Sequence, residues 1–449
     1  MQAKSRNVFI SFLGANAYQE CQYQYGTQQS QPVFYVQQAI AQTIAKNWGG
    51  QDAFYVFTTS KAIQDNWSQR LVKAAHAPSE TEAQYAPDGL QAHLLADFKG
   101  GLVQSKPIPD GNTEEEIWAI FDAVLGVLQV NDAVYLDITN SFRSLPTFAT
   151  TLLNYAKQLK NIQVGGIFYG NYEGRALNDG VAQILNLSNI ELLQRWTSAS
   201  ESFLRAGSAT LLADLVERTN TALAKDLLEF TAAISNVRGF QLCYEMNIDK
   251  LKTDVQKLSN GNIELQLKLI LKKITAKLSP FQTGKALNAL RAVDWCVLHN
   301  MPQAGYTFLE EGLKTLVLDH AGVIPFIQDH DVRKVAGNAL FGNTKAEIEQ
   351  IIATEQAQKQ KKFENQAKNK GKTYYPQSIP TSVRNQIQIM VDFVGAHQLT
   401  ATYKKLIGAH GLRNDINHGG FGFEPATTAA LTKDLGELIA AVKLGLKIT

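Results

Sequence analysis

Cysteine is scarce in this chain: the three present, Cys21, Cys243 and Cys296, are odd in number and far apart. That spacing fits neither a disulfide framework nor a thiolate metal set, so each thiol is expected to pack as a small apolar group in a reducing compartment. Long apolar runs are missing as well, none nearing the ~20 residues a membrane-spanning helix needs. Nor is one sign of charge in surplus, since 43 basic and 41 acidic side chains leave a formal +2. Any nucleic-acid contact must then come from local basic patches. The opening residues, Met1 to Arg6, lead into a strand-like run and not into a signal h-region. Neither Gly-x-x-x-x-Gly-Lys-Ser/Thr nor Gly-x-Gly-x-x-Gly follows a strand, which argues against a nucleoside triphosphatase or a dinucleotide enzyme. What remains is a soluble, cytoplasmic protein of 449 residues, long enough for two or three domains.

What is present begins with strands. Asn7 to Phe12, Ala53 to Phe57, Ala133 to Ile138 and Ile162 to Tyr169 are short apolar runs bounded by turn residues, and Leu102 to Ile108 reads as another. Cys21–Tyr25 and Val33–Val36 read as a hairpin. Helices are expected over Gln37–Trp48, from Glu114 to about Leu128 behind the cap Asn112-Thr113, and over Leu145–Leu159 with Pro146 in the first turn. Residues 76 to 100 carry no firm pattern. Alternating strands and helices imply a mainly parallel sheet wound on both faces, with ligands at the carboxyl ends of its strands.

Three such ends are small and polar: Gly14-Ala15-Asn16, Thr58-Thr59, and Thr139-Asn140-Ser141-Phe142-Arg143. They are expected to gather along one edge. The last supplies hydroxyls, an amide, helix-start N–H groups, an aromatic face and a guanidinium, which suit phosphates and a stacked base. An ordinary strand-to-helix cap is the plain alternative. The run Asp137-Ile138-Thr139-Asn140-Ser141-Phe142-Arg143-Ser144-Leu145-Pro146 resembles the Asp-x-Thr-His-Gly and Phe-Arg-Ser-Leu-Pro signature of CRISPR-associated proteins with a CARF domain. Asn140 stands where that signature has His, and Ser141 where it has Gly. The resemblance implies a Rossmann-like CARF sensor over residues 1–188.

From Asn189 the pattern turns helical, with Ile190, Leu193 and Trp196, then Leu211, Leu212 and Leu215, at helical spacings. An all-α connector is expected over 189–279 and a second all-α domain over 280–449. Gln303–Leu318 reads as an amphipathic helix flanked by His299 and His320, both expected to be helix-end or core histidines. Gln358–Lys372, with six lysines and one glutamate, reads as a solvated loop or helix end. Ser382–Val394, Leu399–Ile407 and Thr427–Leu446 resume helices.

Near the C-terminus, Arg413-Asn414-Asp415-Ile416-Asn417-His418 sets a permanent cation beside a side chain that titrates near neutrality. The pair suits phosphodiester cleavage with no demand for a metal. On one continuous helix the two would diverge by about 140°, so a stop at Gly419-Gly420 is needed to let His418 swing back. A surface arginine and a histidine complementing a helix end is the plain alternative. Late in an all-α domain, Arg-Asn-x-x-x-His resembles the HEPN ribonucleases, and the whole chain resembles the CARF–HEPN accessory ribonucleases of type III CRISPR systems. That resemblance implies a homodimer, or a higher homo-oligomer of dimers, that cleaves single-stranded RNA, catalysed by Arg413, Asn414 and His418. It also implies activation by a cyclic oligoadenylate, the tetra-adenylate first, held at Gly14–Asn16, Thr58, Thr59 and Thr139–Arg143. No cofactor or metal is expected. A nucleotide-sensing regulator whose helical domain only binds protein or nucleic acid is the alternative of another class.

Overall fold

The computed structural model describes residues 5–73, 83–98, 100–140, 145–261, 265–370, 378–407 and 427–448. Ser141, Phe142 and Arg143, and likewise Arg413, Asn414 and His418, lie outside the described residues. The chain divides into two compact units, Met1–Leu192 and Leu193–Thr449.

In the first unit the strands are β1 (Asn7–Leu13), β2 (Gln22–Tyr25), β3 (Gln28–Gln29), β4 (Ala53–Thr58), β5 (Arg70–Lys73), β6 (Gln84–Ala86), β7 (Leu102–Pro107), β8 (Ala133–Asp137), β9 (Gln163–Asn171) and β10 (Val181–Asn186). Helices α1 (Val36–Thr43), the single turn α2 (Ser60–Ala62), α3 (Leu90–Asp97), α4 (Glu114–Val127) and α5 (Leu145–Lys160) connect them. Eight strands form one sheet in the order β3-β2-β10-β9-β8-β1-β4-β7. From β9 to β7 every pairing is parallel, whereas β10 runs antiparallel to β9 and β3 antiparallel to β2. β5 and β6 make a separate hairpin.

The period-two alternation of β1 explains how both faces are filled. Phe9 packs with Phe54 and with Val36, Ile40, Leu90 and Leu94 of α1 and α3. Val8, Ile10 and Phe12 pack on the opposite face with Ile120, Phe121 and Val124 of α4 and Leu152, Leu153 and Ala156 of α5. The start of α4 is fixed as its sequence predicts. Thr113 Oγ1 accepts from Glu116 N at 3.2 Å as N-cap, and Glu116 Oε2 accepts from Asn112 N, one residue outside the cap, at 2.7 Å.

Several local expectations need correction. The first helix ends at Thr43 and not at Trp48, because the amides of Ile44 and Ala45 share the Ile40 carbonyl and the chain turns there. The hairpin arm opposite β2 is Gln28–Gln29, with Val33 adding only a bridge to Cys21. The patternless stretch contains α3, and β10 extends the sheet beyond the expected strands.

After β10 the described residues hold helices and turns but no strand: α6 (Ser188–Ala206), within which the boundary between units falls, α7 (Thr210–Val216), α8 (Thr221–Ser235), α9 (Ile248–Asn260), α10 (Leu265–Leu278), α11 (Asn288–Leu298), α12 (Pro302–His320), α13 (His330–Leu340), α14 (Lys345–Lys370), α15 (Thr381–Asn385), α16 (Ile387–Ala396), α17 (Leu399–Ile407) and α18 (Thr428–Leu446). In the second unit α12 is central. A Cβ at Gly312 would stand 2.9 Å from that of Ala289 and one at Gly305 2.3 Å from Leu435 Cδ2, so glycine lets α11 and α18 approach closely. Trp295 on α11 gathers Phe203, Phe230 and Phe281 at 5.5–6.2 Å between ring centroids. His299 follows α11, its Nδ1 2.9 Å from the Arg205 carbonyl oxygen. Desolvation lowers its pKa. His320 ends α12 stacked on Phe393. Of the Lys-rich stretch, residues 358–370 are a helix end and not a loop, the second half of α14, while residues 371 and 372 lie outside the described residues. Among the described residues no helix is long and apolar enough to cross a membrane.

Candidate ligand site

The connections of the parallel sheet leave β1 toward β4 and β7 on one side and return to β8 and β9 on the other. The strand order thus reverses between β1 and β8, and a crevice is expected outside their carboxyl ends. A cavity of about 560 Å³ opens there. Its walls come from the loop after β1 (Asn16 to Gln19), the end of β8 (Thr139, Asn140), the end of β9 with the turn beyond it (Tyr169, Gly170, Tyr172, Glu173, Arg175), and Tyr23, Phe34 and Val36. Polar side chains (Asn16, Gln19, Asn140, Glu173, Arg175) and aromatic rings (Tyr18, Tyr23, Phe34, Tyr169, Tyr172) both line it.

A buried hydrogen-bond chain fixes the β8 side. Asp137, fully buried at the end of β8, accepts from Ser11 Oγ at 2.7 Å through Oδ2, and from Thr139 N (3.0 Å) and Thr139 Oγ1 through Oδ1. Gln37 Nε2 donates to Ser11 Oγ at 2.9 Å, and Gly170 N donates to Thr139 Oγ1 at 2.7 Å. Three strand ends and the start of α1 are tied to one carboxylate. Burial raises the Asp137 pKa, against the hydrogen bonds from Thr139 and Ser11, which lower it. Thr139 spends its hydroxyl proton on Asp137 and accepts from Gly170, so this side chain shapes the wall. Asn140 differs. Its Nδ2 is buried and has no hydrogen-bond partner among the described residues, an unspent donor on a residue of the cavity lining.

The loop after β1 is clamped in the same way. Asn66 Nδ2 donates to the carbonyls of Gly14 (3.0 Å) and Asn16 (2.9 Å), and Gly14 N donates to Tyr18 Oη at 2.9 Å. Burial pushes the Tyr18 phenol pKa up. Tyr172 Oη donates to Gln19 Oε1 at 2.7 Å, joining this loop to the turn after β9.

Of the strand-end residues singled out in the sequence, Asn16, Thr139 and Asn140 line the cavity. Gly14 and Ala15 lie behind it: Gly14 is bonded to Tyr18, and Ala15 packs on the core. Thr58 and Thr59 stand on the β4 side of β1. Thr58 is buried with its hydroxyl 2.7 Å from Ser105 Oγ, and Thr59 caps α2 by accepting from Ala62 N. Tyr18, Gln19, Tyr172 and Arg175 are wall residues that sequence reasoning missed. The signal for the last two was Asn171-Tyr172-Glu173-Gly174-Arg175, an aromatic and a cation three apart in a Gly-containing turn directly after a strand.

Gly170 sets the cavity floor. A Cβ there would lie 2.5 Å from Val36 Cγ2 and 3.2 Å from Tyr23 Cε1. Gly170→Ala is therefore expected to cost roughly 1–3 kcal/mol by overpacking, read as a lower thermal transition of the full chain. Unchanged unfolding would show that Val36 yields without cost.

In the helical unit a second cavity of about 350 Å³ lies among Phe240, Tyr244, Phe308 and Gly312. Arg333 at its edge is engaged by the Glu311 side chain and carbonyl, Thr315 and the Ile327 carbonyl. Among the described residues no group of three or more His, Cys, Asp or Glu side chains is placed to hold a metal ion.

Fold and cavity together define a protein with a doubly wound α/β unit, bearing a cavity at its switch point, followed by a long all-helical region. Over 138 residues the chain is 34% identical to the CRISPR-associated protein MJ1674 of Methanocaldococcus jannaschii, a match that takes in 30% of this chain and 22% of that protein. No family model matches the chain.

Proposed function

We propose that the protein is a ribonuclease of CRISPR antiviral defence, switched on when a cyclic oligoadenylate occupies the cavity of its α/β unit. The observation that carries this reading is the cavity itself: a polar, aromatic-walled crevice at the switch point of a parallel sheet, ending the strand that bears the Asp137-x-Thr139 signature. The similarity to a CRISPR-associated protein supports the biological setting. The cyclic tetra-adenylate is the first ring to try, its phosphates and adenines suiting a wall that holds both polar and aromatic groups.

In the helical region, Arg413 and His418 would perform the cleavage. The ribose 2′-OH attacks the adjacent phosphorus, its proton passing to a base as the new 2′-O–P bond forms and the P–O5′ bond breaks. The 5′ oxygen takes up a proton, leaving a 2′,3′-cyclic phosphate and a 5′-OH. Arg413 stabilises charge on the phosphoryl oxygens, His418 moves one of the two protons, and Asn414 holds backbone or substrate. One arginine and one histidine are few for this reaction, and a two-fold homodimer would double them. The ring activates by binding one of two dimer states more tightly than the other.

The test is incubation of the purified full chain with fluorescent single-stranded RNA, EDTA, and cyclic tri-, tetra- and hexa-adenylate in turn. Cleavage dependent on one ring is expected. Binding of RNA without cleavage in the presence of every ring would replace the enzyme with a regulator.

A further inference from the structure

Arg175 stands out at the cavity wall. Its guanidinium lies 3.6 Å above the Tyr172 ring centroid, and Nη1 donates to the Tyr172 carbonyl at 2.9 Å. No carboxylate among the described residues lies within ion-pair distance, and Nη2 and Nε make no hydrogen bond there. The residue is half-buried. A guanidinium held flat on an aromatic ring, with its outer edge unspent, is preorganised for a forked pair of hydrogen bonds to an oxyanion. Tyr172 is itself fixed through Gln19, so the cation sits on a braced platform. The turn that carries both is pinned by Gly174 N donating to Asn171 Oδ1 at 3.2 Å.

Resting on the reading of the cavity as an oligoadenylate site, we infer that Arg175, seated on Tyr172, is the residue that grips a phosphodiester of the ligand, while the spare amide of Asn140 donates to an acceptor of the nucleoside. Thr139 donates nothing to the ligand, because its hydroxyl proton is already given to Asp137. Glu173, exposed on the same turn and also lining the cavity, opposes an anion. Affinity is thus set by two neighbours of opposite sign.

The experiment measures equilibrium binding of cyclic tri-, tetra- and hexa-adenylate and of linear tetra-adenylate to the full chain at several salt concentrations. For the ring that wild type binds, Arg175→Ala is expected to weaken binding roughly 10- to 100-fold and to flatten the salt dependence by about one unit of slope. Arg175→Lys restores the charge but not the fork or the stack, so it recovers affinity only in part. Glu173→Gln binds a few-fold tighter by removing a like charge. Wild-type binding with Arg175→Ala unchanged in affinity and salt slope overturns the inference and leaves the proposed function standing. Failure of wild type to bind any of the four oligonucleotides overturns both.

Discussion

His418→Ala is expected to lower ring-activated RNA cleavage by about 10²- to 10⁴-fold, the usual contribution of a positioned proton-transfer group, while the full chain binds its ring as before. On the proposed reading the remaining arginine still draws the phosphate, but the side chain assigned to move a proton near neutral pH is gone. Arg413→Ala should be comparably severe, and the double variant little worse than either, because the two groups act on one transition state. Single-turnover cleavage with saturating ring is the measurement. A rate within a few-fold of wild type for His418→Ala would remove the catalytic assignment. Mixing gives a second readout. If each site is built from two copies, an excess of the inactive variant lowers activity per wild-type chain. If each copy acts alone, activity per wild-type chain stays constant.

The centre of the sheet was legible because β1, β4 and β8 are nearly continuous apolar runs, as strands buried on both faces must be. That the strand ends gather on one edge followed from parallel pairing alone. Which of them share a cavity did not follow, since strand order is a matter of long-range pairing. Thr58 and Thr59 end a strand as Thr139 does, but β4 lies on the far side of β1 from β8 and β9. The walls supplied by Tyr18 and Arg175 were hidden for another reason: each belongs to a segment whose composition reads only as a turn. In α3 only Leu90 and Leu94 are fully buried, too few positions to show a helical period.

Of the two readings of Gln358–Lys372, loop or helix end, the loop came from equating few apolar residues with a loop, and over residues 358–370 the helix end holds. Lys, Gln, Ala and Glu are strong helix formers, and here the helix is nucleated elsewhere. Thr344 Oγ1 accepts from Glu347 N, and Glu347 Oε2 accepts from Thr344 N at 2.7 Å, while Ile348 and Ile352 are buried. A capped, anchored first half carries a polar second half with it. Lys359 adds a 2.5 Å ion pair to Asp331, and the gain from such an exposed pair is small.

Asp137→Ala should strongly destabilise the α/β unit. It strips the acceptor from three donors at once, Ser11 Oγ, Thr139 N and Thr139 Oγ1. Each donor left unpaired in a buried site costs about 1–3 kcal/mol, offset in part because a charged carboxylate no longer has to be buried. A net loss of about 2–4 kcal/mol is expected, read as a lower thermal transition of the full chain, with ring binding weakened through the displaced Thr139 and Gly170. Asp137→Asn keeps an acceptor for Thr139 but turns a donor toward Ser11, whose hydroxyl already receives Gln37 Nε2, so its cost should be about 1 kcal/mol. The pH dependence separates charge from shape. Burial raises the Asp137 pKa above its ordinary 3.8, so the folded state holds this proton more tightly than the unfolded chain does. Its stabilising contribution is complete below the ordinary value and is lost as pH rises through the raised one. Asparagine has no such titration. Wild type should therefore gain on Asp137→Asn as the pH is lowered from neutrality toward 3.8. Parallel pH profiles for the two proteins would mean that the carboxylate is as well solvated folded as unfolded, and an unshifted transition for Asp137→Ala would mean that the strand ends hold together without it.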